Sequence, residues 1–192
     1  MSGCGAEEAW RQLRLARLPF ETPEILVLGG GPAGAAAARL LASWGHGVQL
    51  VTRRSGDQRL AVSLPPSCAK LFDVIGVAGA IDRAGFIRST GNTVWWGSDE
   101  PRVERFADGA LGWQVELQRF SDVLLDHAAA QRVAVTRVKT VSSESLIDPE
   151  RLVVLDCSGR SGIVAKLKDV RRYDDGPRTV ALVGEWSTGR SW

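Results

Sequence analysis

An unbroken apolar run, Ile25-Leu-Val-Leu28, passes directly into Gly29-Gly-Gly-Pro-Ala-Gly34 and then into an alanine-rich stretch in which Ala38 follows Gly34 by four positions. A short apolar run bounded by glycine predicts a buried strand, and the Gly34/Ala38 spacing predicts a helix that turns its small residues to a sheet. Val48–Val51, behind Gly45 and Gly47, predicts the second strand of a βαβ unit, closed by a polar turn at 53–57. Next, Ser63-Leu-Pro-Pro-Ser67 predicts an extended segment entering a helix over Cys68–Ile75, with Leu71, Phe72 and Ile75 at helical spacing.

Residues 85–97, rich in Thr, Val and Trp, predict a strand. With 102–106 and Trp113–Val115 they make an antiparallel β ribbon inserted at about 85–116. From Phe120 the period changes: Phe120, Val123, Leu124 and His127 predict an amphipathic helix over 119–130, with a strand at Val133–Val138 behind it. The run Leu152–Leu155 predicts a buried parallel strand ending in Asp156-Cys-Ser-Gly-Arg-Ser-Gly162, and Thr179–Trp186 predicts a last strand. Ahead of the first strand, Ala9, Trp10, Leu13 and Ala16 form one face of a short amphipathic helix. Glu7 and Glu8 do not suit a transit peptide, so 1–22 reads as a surface extension. The fold class is therefore α/β.

Composition narrows the function. A chain of 192 residues that is 44% hydrophobic can bury a substantial core. A net charge of +2 from interspersed acids and bases gives no basic stripe for nucleic acid, and no apolar run has the length to cross a bilayer. The three cysteines, Cys4, Cys68 and Cys157, have no metal-site spacing and fit a reducing, cytoplasmic setting. His46 in a Gly-His-Gly turn and His127 on a helix face read as structural, Lys70 as solvated, and Trp95-Trp96 as one indole on each side of a strand.

The chemistry lies in Gly29-x-Gly31-x-x-Gly34, placed between a strand and a helix. Gly29 makes the tight turn, Gly31 lets the backbone approach a pyrophosphate, and Gly34 lets helix and strand pack closely, as at the start of a dinucleotide-binding βαβ unit. The pyrophosphate lies at the helix amino end, where unpaired N–H groups and the dipole favour an anion. A glycine-rich connection without a ligand is the alternative. Asp156, at the carboxyl end of a strand, is placed to orient backbone amides or to meet ribityl hydroxyls, and an ordinary helix cap stands beside that reading.

Together these segments resemble the flavoprotein class of p-hydroxybenzoate hydroxylase, which includes the flavin-dependent tryptophan halogenases and the geranylgeranyl reductases, over about residues 24–186. The resemblance rests on Gly29–Gly34, on Trp113–Ser121 and on Asp156–Gly162. It implies a Rossmann-like FAD-binding domain at 23–170, with Gly29, Gly31, Pro32, Ala33, Gly34, Thr52, Arg53, Arg119, Asp156 and Gly159 toward FAD. Residues 171–192 would then begin an incomplete substrate domain, because members of the class continue well beyond this length. The implied activity is that of a monooxygenase-type oxidoreductase, or its halogenase or reductase relatives, with NAD(P)H as electron donor and a small-molecule substrate.

Two departures keep other readings open. Thr52 and Arg53 stand where an acid usually holds the adenosine ribose, so either Asp57 reaches back or Arg53 and Arg54 favour the 2′-phosphate of an NADP site. Leu117 and Ser121 replace an arginine and an acid of the class, with Arg119 as a substitute for the first. A non-catalytic remnant with weak nucleotide binding and an NADP-binding module are the competing hypotheses.

Overall fold

The computed structural model describes residues 24–53, 60–139, 153–172, 176 and 180. The first apolar run is β1 (Ile25–Leu28), buried along its whole length. Helix α1 (Pro32–Ser43) leads back to β2 (Val48–Arg53), which lies parallel to β1 with Ile25 opposite Val48. On the far side of β2 runs β8 (Ala134–Val138), and on the far side of β1 runs β9 (Val153–Asp156), both parallel. The order β8-β2-β1-β9 places the reversal of chain direction across the sheet between β1 and β9. That crevice, outside the carboxyl ends of the strands, is where open α/β sheets bind ligands.

Alternation of side chains divides the core in two. Val27, Val48 and Leu50 face Ala35 and Ala38 of α1 and Leu124 and Ala128 of the helix that precedes β8. Leu26, Leu28 and Val51 face the other way, against Val138, Val154, Ile163 and Val164. Leu26, Leu28 and Leu50 are at most 2% exposed, and each such side chain contributes about 1.5–3 kcal/mol by leaving water.

The middle of the chain departs from the sequence expectation. Instead of one inserted ribbon there are two antiparallel sheets. In the first, β7 (Gly112–Glu116) pairs on one side with β3 (Ala61–Leu64) and on the other with β4 (Ile87–Ser89). In the second, β5 (Gly91–Val94) pairs with β6 (Arg102–Arg105) alone. The single strand expected at 85–97 is thus broken at Thr90, and its halves join different sheets.

Helix α2 (Cys68–Val74) follows the prolines as expected, but only Phe72 of its apolar trio is fully buried while Leu71 is exposed. A second short helix, α3 (Ala78–Arg83), lies beyond it and was not expected. Phe72 meets Trp113 edge-on at 5.2 Å and tilts toward Phe120 at 6.1 Å. This aromatic cluster seats the first antiparallel sheet on α4 (Leu117–Ala130), whose first turn is capped by Glu116 accepting from the Gln118 amide at 3.0 Å.

Two further expectations are corrected. Trp95 and Trp96 follow the end of β5 rather than sitting on it, and both are exposed, because β5 has only β6 beside it. Val153 of β9 is exposed, since β9 is the edge of the described sheet rather than an interior strand. The extension at 1–22, the turn residues Arg54 and Asp57, and all of the strand expected at 179–186 except residue 180 lie outside the described residues. None of the helices in the described residues is long and apolar enough to cross a membrane.

Candidate functional site

Where the chain leaves β1 it is hydrogen-bonded to both neighbouring strands. The Gly29 amide donates to the Val51 carbonyl of β2 at 2.8 Å, and on the other side the Cys157 amide donates to the Leu28 carbonyl at 2.8 Å. Gly29 has φ +112°, a conformation that L side chains rarely adopt, and a Cβ there would stand 2.3 Å from the Cys157 carbonyl oxygen. The Gly30 amide donates to Thr52 Oγ1 at 3.1 Å. Gly34 lies so close beneath the loop that its Cβ would stand 1.9 Å from the Gly29 oxygen.

Packing therefore demands glycine at 29 and 34. It makes no such demand at 31. Gly31 has φ −71°, and a Cβ there would meet nothing within 4 Å. Gly31 is also the cap residue of α1, followed by Pro32, whose ring presets the helix and carries no N–H. Ala35 supplies the first amide to bond back, to the Gly31 carbonyl at 3.0 Å. The Gly31, Ala33 and Gly34 amides of the opening turn have no carbonyl of the helix to meet.

The opposite lip follows β9. One oxygen of Asp156 accepts from the Ser158 amide at 3.1 Å and from its hydroxyl, while the other accepts from the Val164 and Ala165 amides at 2.8 and 3.3 Å. The latter two belong to α5 (Ile163–Leu167), so the carboxylate both orders the loop and caps the short helix. Of the alternatives left by the sequence, the amide-orienting and capping roles coincide in one group. Burial pushes the Asp156 carboxyl up, but the hydrogen bonds from Ser158, Val164 and Ala165 outweigh it and hold the group below its ordinary value. The neighbouring Cys157 thiol is pushed up by burial and by the Asp156 charge.

Between these walls is a cavity of about 780 Å³. Five of the expected residues line it: Gly29, Gly31, Thr52, Arg53 and Gly159. Pro32, Ala33 and Gly34 form the first turn of α1 beside it, and Asp156 supports its lip from behind. Arg119 is not brought there: it donates to the Ala84 carbonyl and lies over the Phe86 ring, 5.0 Å from its centre.

Sequence reasoning missed two cations in the lining, Lys139 and Lys166. Lys139 carried a signal, since it directly follows a strand that parallel pairing brings to the ligand edge of the sheet. No group of His, Cys, Asp and Glu among the described residues is arranged to hold a metal. His127 lies away from the cavity, and its ring is held toward the neutral form by burial and by the Arg39 and Arg83 charges.

Residues 22–151 match the family described as FAD binding domain. The flavin-dependent halogenase armH3 of Armillaria mellea is 30% identical over 199 residues, which covers 90% of this chain and 39% of the halogenase. Tryptophan 2-halogenase of Chondromyces crocatus is 30% identical over 192 residues, covering 88% of this chain and 36% of its own. Among solved structures, the myxobacterial chondrochloren halogenase CndH, an FAD-dependent halogenase, is similar with a TM-score of 0.53 at 30% identity, over 60% of this chain and 28% of that one. A flavoprotein/dehydrogenase from Cytophaga hutchinsonii shares the fold with a TM-score of 0.64 at 23% identity, over 80% of this chain and 44% of that one. The chain thus spans less than two fifths of the length of the curated relatives it matches.

Proposed function

Because the chain belongs to the FAD binding domain family, we propose that the cavity between β1 and β9 receives the adenosine diphosphate half of FAD, with the pyrophosphate against the amino end of α1. The observation that carries this reading is the unequal status of the glycines. Gly29 and Gly34 are fixed by contacts inside the protein, whereas Gly31 opens onto a hollow that a side chain would fill. In this reading the Gly31, Ala33 and Gly34 amides meet phosphate oxygens, and Pro32 holds the turn that aims them. Thr52 and Arg53 flank the adenosine end, and Gly159 gives close approach on the lip that Asp156 braces.

The flavin, when bound, supplies the oxidation–reduction chemistry, while the protein orients it and limits water. For the whole protein we infer a monooxygenase-type oxidoreductase related to the flavin-dependent halogenases, reduced by NAD(P)H, acting on a small molecule and working in the cytoplasm. A nucleotide-binding module without turnover is the second reading. It is favoured by the missing acid at the ribose end, where Thr52 and Arg53 stand.

Reconstitution tests the proposal. The purified chain is mixed with excess FAD, passed through gel filtration and scanned for absorbance. Flavin bands in the blue and near ultraviolet that travel with the protein are the expected result. A folded protein that emerges colourless after every reconstitution attempt would refute it.

A further inference from the structure

The adenosine end of the cavity has an unusual electrical character. Arg53 closes β2 and is paired across the ladder with Val138 of β8, so Lys139 emerges beside it at the carboxyl edge of the adjacent strand. Neighbouring strands lie about 4.8 Å apart, and both side chains line the same cavity. Lys166 of α5 adds a third cation, and no carboxylate is among the described lining residues. Neither Arg53 nor Lys139 has an ion-pair partner among the described residues.

Thr52 does not offset this. It is buried, its Oγ1 accepts the Gly30 amide at 3.1 Å, and it donates to the Arg53 carbonyl at 3.3 Å. Its hydroxyl is thus committed to holding the glycine loop. A ribose with free 2′ and 3′ hydroxyls is best held by a carboxylate at this position, and a ribose phosphate is best held by cations. Two cations on one lip, without an ion-pair partner among the described residues, also repel each other until an anion settles between them.

We propose that this end of the cavity selects an adenine nucleotide carrying a 2′-phosphate on its ribose, bound by Arg53 and Lys139. The inference rests on the reading that the cavity takes the adenosine diphosphate half of a dinucleotide. It adds that a 2′-phosphorylated dinucleotide competes with FAD for the same end. Lys166, which lines the same cavity from α5, is not part of this pair.

The test is calorimetric titration of the full chain with 5′-ADP, adenosine 2′,5′-bisphosphate, FAD and inorganic phosphate. The 2′,5′-bisphosphate is expected to bind about tenfold or more tighter than 5′-ADP at low salt, as charge-assisted hydrogen bonds to a phosphate imply. That gap should narrow as salt is raised. The double variant Arg53→Ala/Lys139→Ala should remove the gap, so that it binds the 2′,5′-bisphosphate no tighter than it binds 5′-ADP, with an unchanged circular dichroism spectrum showing that it is folded. Equal binding of both nucleotides alongside successful FAD reconstitution overturns this proposal and leaves the FAD reading standing. Competition by inorganic phosphate as strong as that of the bisphosphate also overturns it, because the lip would then attract any anion. If no nucleotide and no FAD binds to the folded chain, both readings fall.

Discussion

Replacing each of two glycines by alanine, one at a time, separates a packing role from a binding role. At Gly34 the added methyl carbon would stand 1.9 Å from the Gly29 carbonyl oxygen and 3.2 Å from the Cys157 Cβ. The oxygen has little room to retreat, because Gly29 is tied to Val51 and abuts Cys157. Overpacking of this kind costs about 3 kcal/mol at the upper end of its usual range, and alanine recovers about 1 kcal/mol in helix propensity. The net loss of about 2 kcal/mol lowers the melting temperature by about 4–8 °C in a chain of this size.

At Gly31 the backbone is already at φ −71° and the methyl meets nothing. Lower entropy of the unfolded chain stabilises by about 0.4–1 kcal/mol, and the poorer cap costs a similar amount. Gly31→Ala should therefore melt within about 2 °C of the parent while binding FAD about tenfold or more weakly, since the methyl displaces a charge-assisted contact to phosphate. Urea or thermal denaturation of the ligand-free protein, paired with titration of flavin fluorescence, measures both quantities. The reasoning fails if Gly34→Ala is as stable as the parent, or if Gly31→Ala binds FAD as the parent does.

Other consequences are equally direct. His127 has a depressed proton affinity in the folded state, so the unfolded chain takes up the proton first as pH falls below the ordinary value of 6.5. Stability is then full above that pH and declines below it, until the folded form is protonated too. His127→Gln should flatten this part of a melting-temperature profile between pH 7.5 and pH 5. Asp156→Ala removes the cap of α5 and should cost about 0.5–2 kcal/mol, with faster amide hydrogen exchange at Val164 and Ala165 than in the parent. Asp156→Asn keeps acceptor oxygen and should lose less. The raised Cys157 thiol should alkylate more slowly than free cysteine at pH 8, as mass spectrometry can follow, and more slowly again with a nucleotide in the cavity.

Sequence made the parallel core legible because its signals are local and mutually consistent. Ile25–Leu28 is apolar without interruption, glycine and proline mark the loop, and Ala38 repeats the small face of Gly34, so strand, turn and helix all reinforce one another. The helix expected over 119–130 is likewise readable from its apolar period, but α4 starts earlier, at Leu117. The antiparallel region was less legible because pairing partners far apart in sequence decide it. Nothing near Trp113 announces that it faces Leu64 across one ladder and Arg88 across another. Helix α3 has six residues, one of them Gly79, too few for a periodic signal. Aromatic character suggested burial or packing for Trp95 and Trp96, but exposure depends on what lies across from β5, which no local pattern encodes.

The candidate site divides in the same way. Its backbone parts could be read directly, since an unusual φ or a close approach restricts the residue type that can stand there. Its charged parts could not. Lys139 and Lys166 look like any solvated lysines until register and helix placement bring them to the cavity, and the Arg119 guanidinium is committed to the Ala84 carbonyl by packing that no local pattern encodes.

The contact between Gly29 and the Cys157 carbonyl makes the two loops a single mechanical piece, with main chain against main chain and no side chain between them. Neither loop can lengthen or change conformation on its own without forcing the other out of place. An engineer wishing to alter which nucleotide this scaffold accepts is better served at the ends of β2 and β8, where exchanging Arg53 or Lys139 alters charge while the welded turn stays as it is.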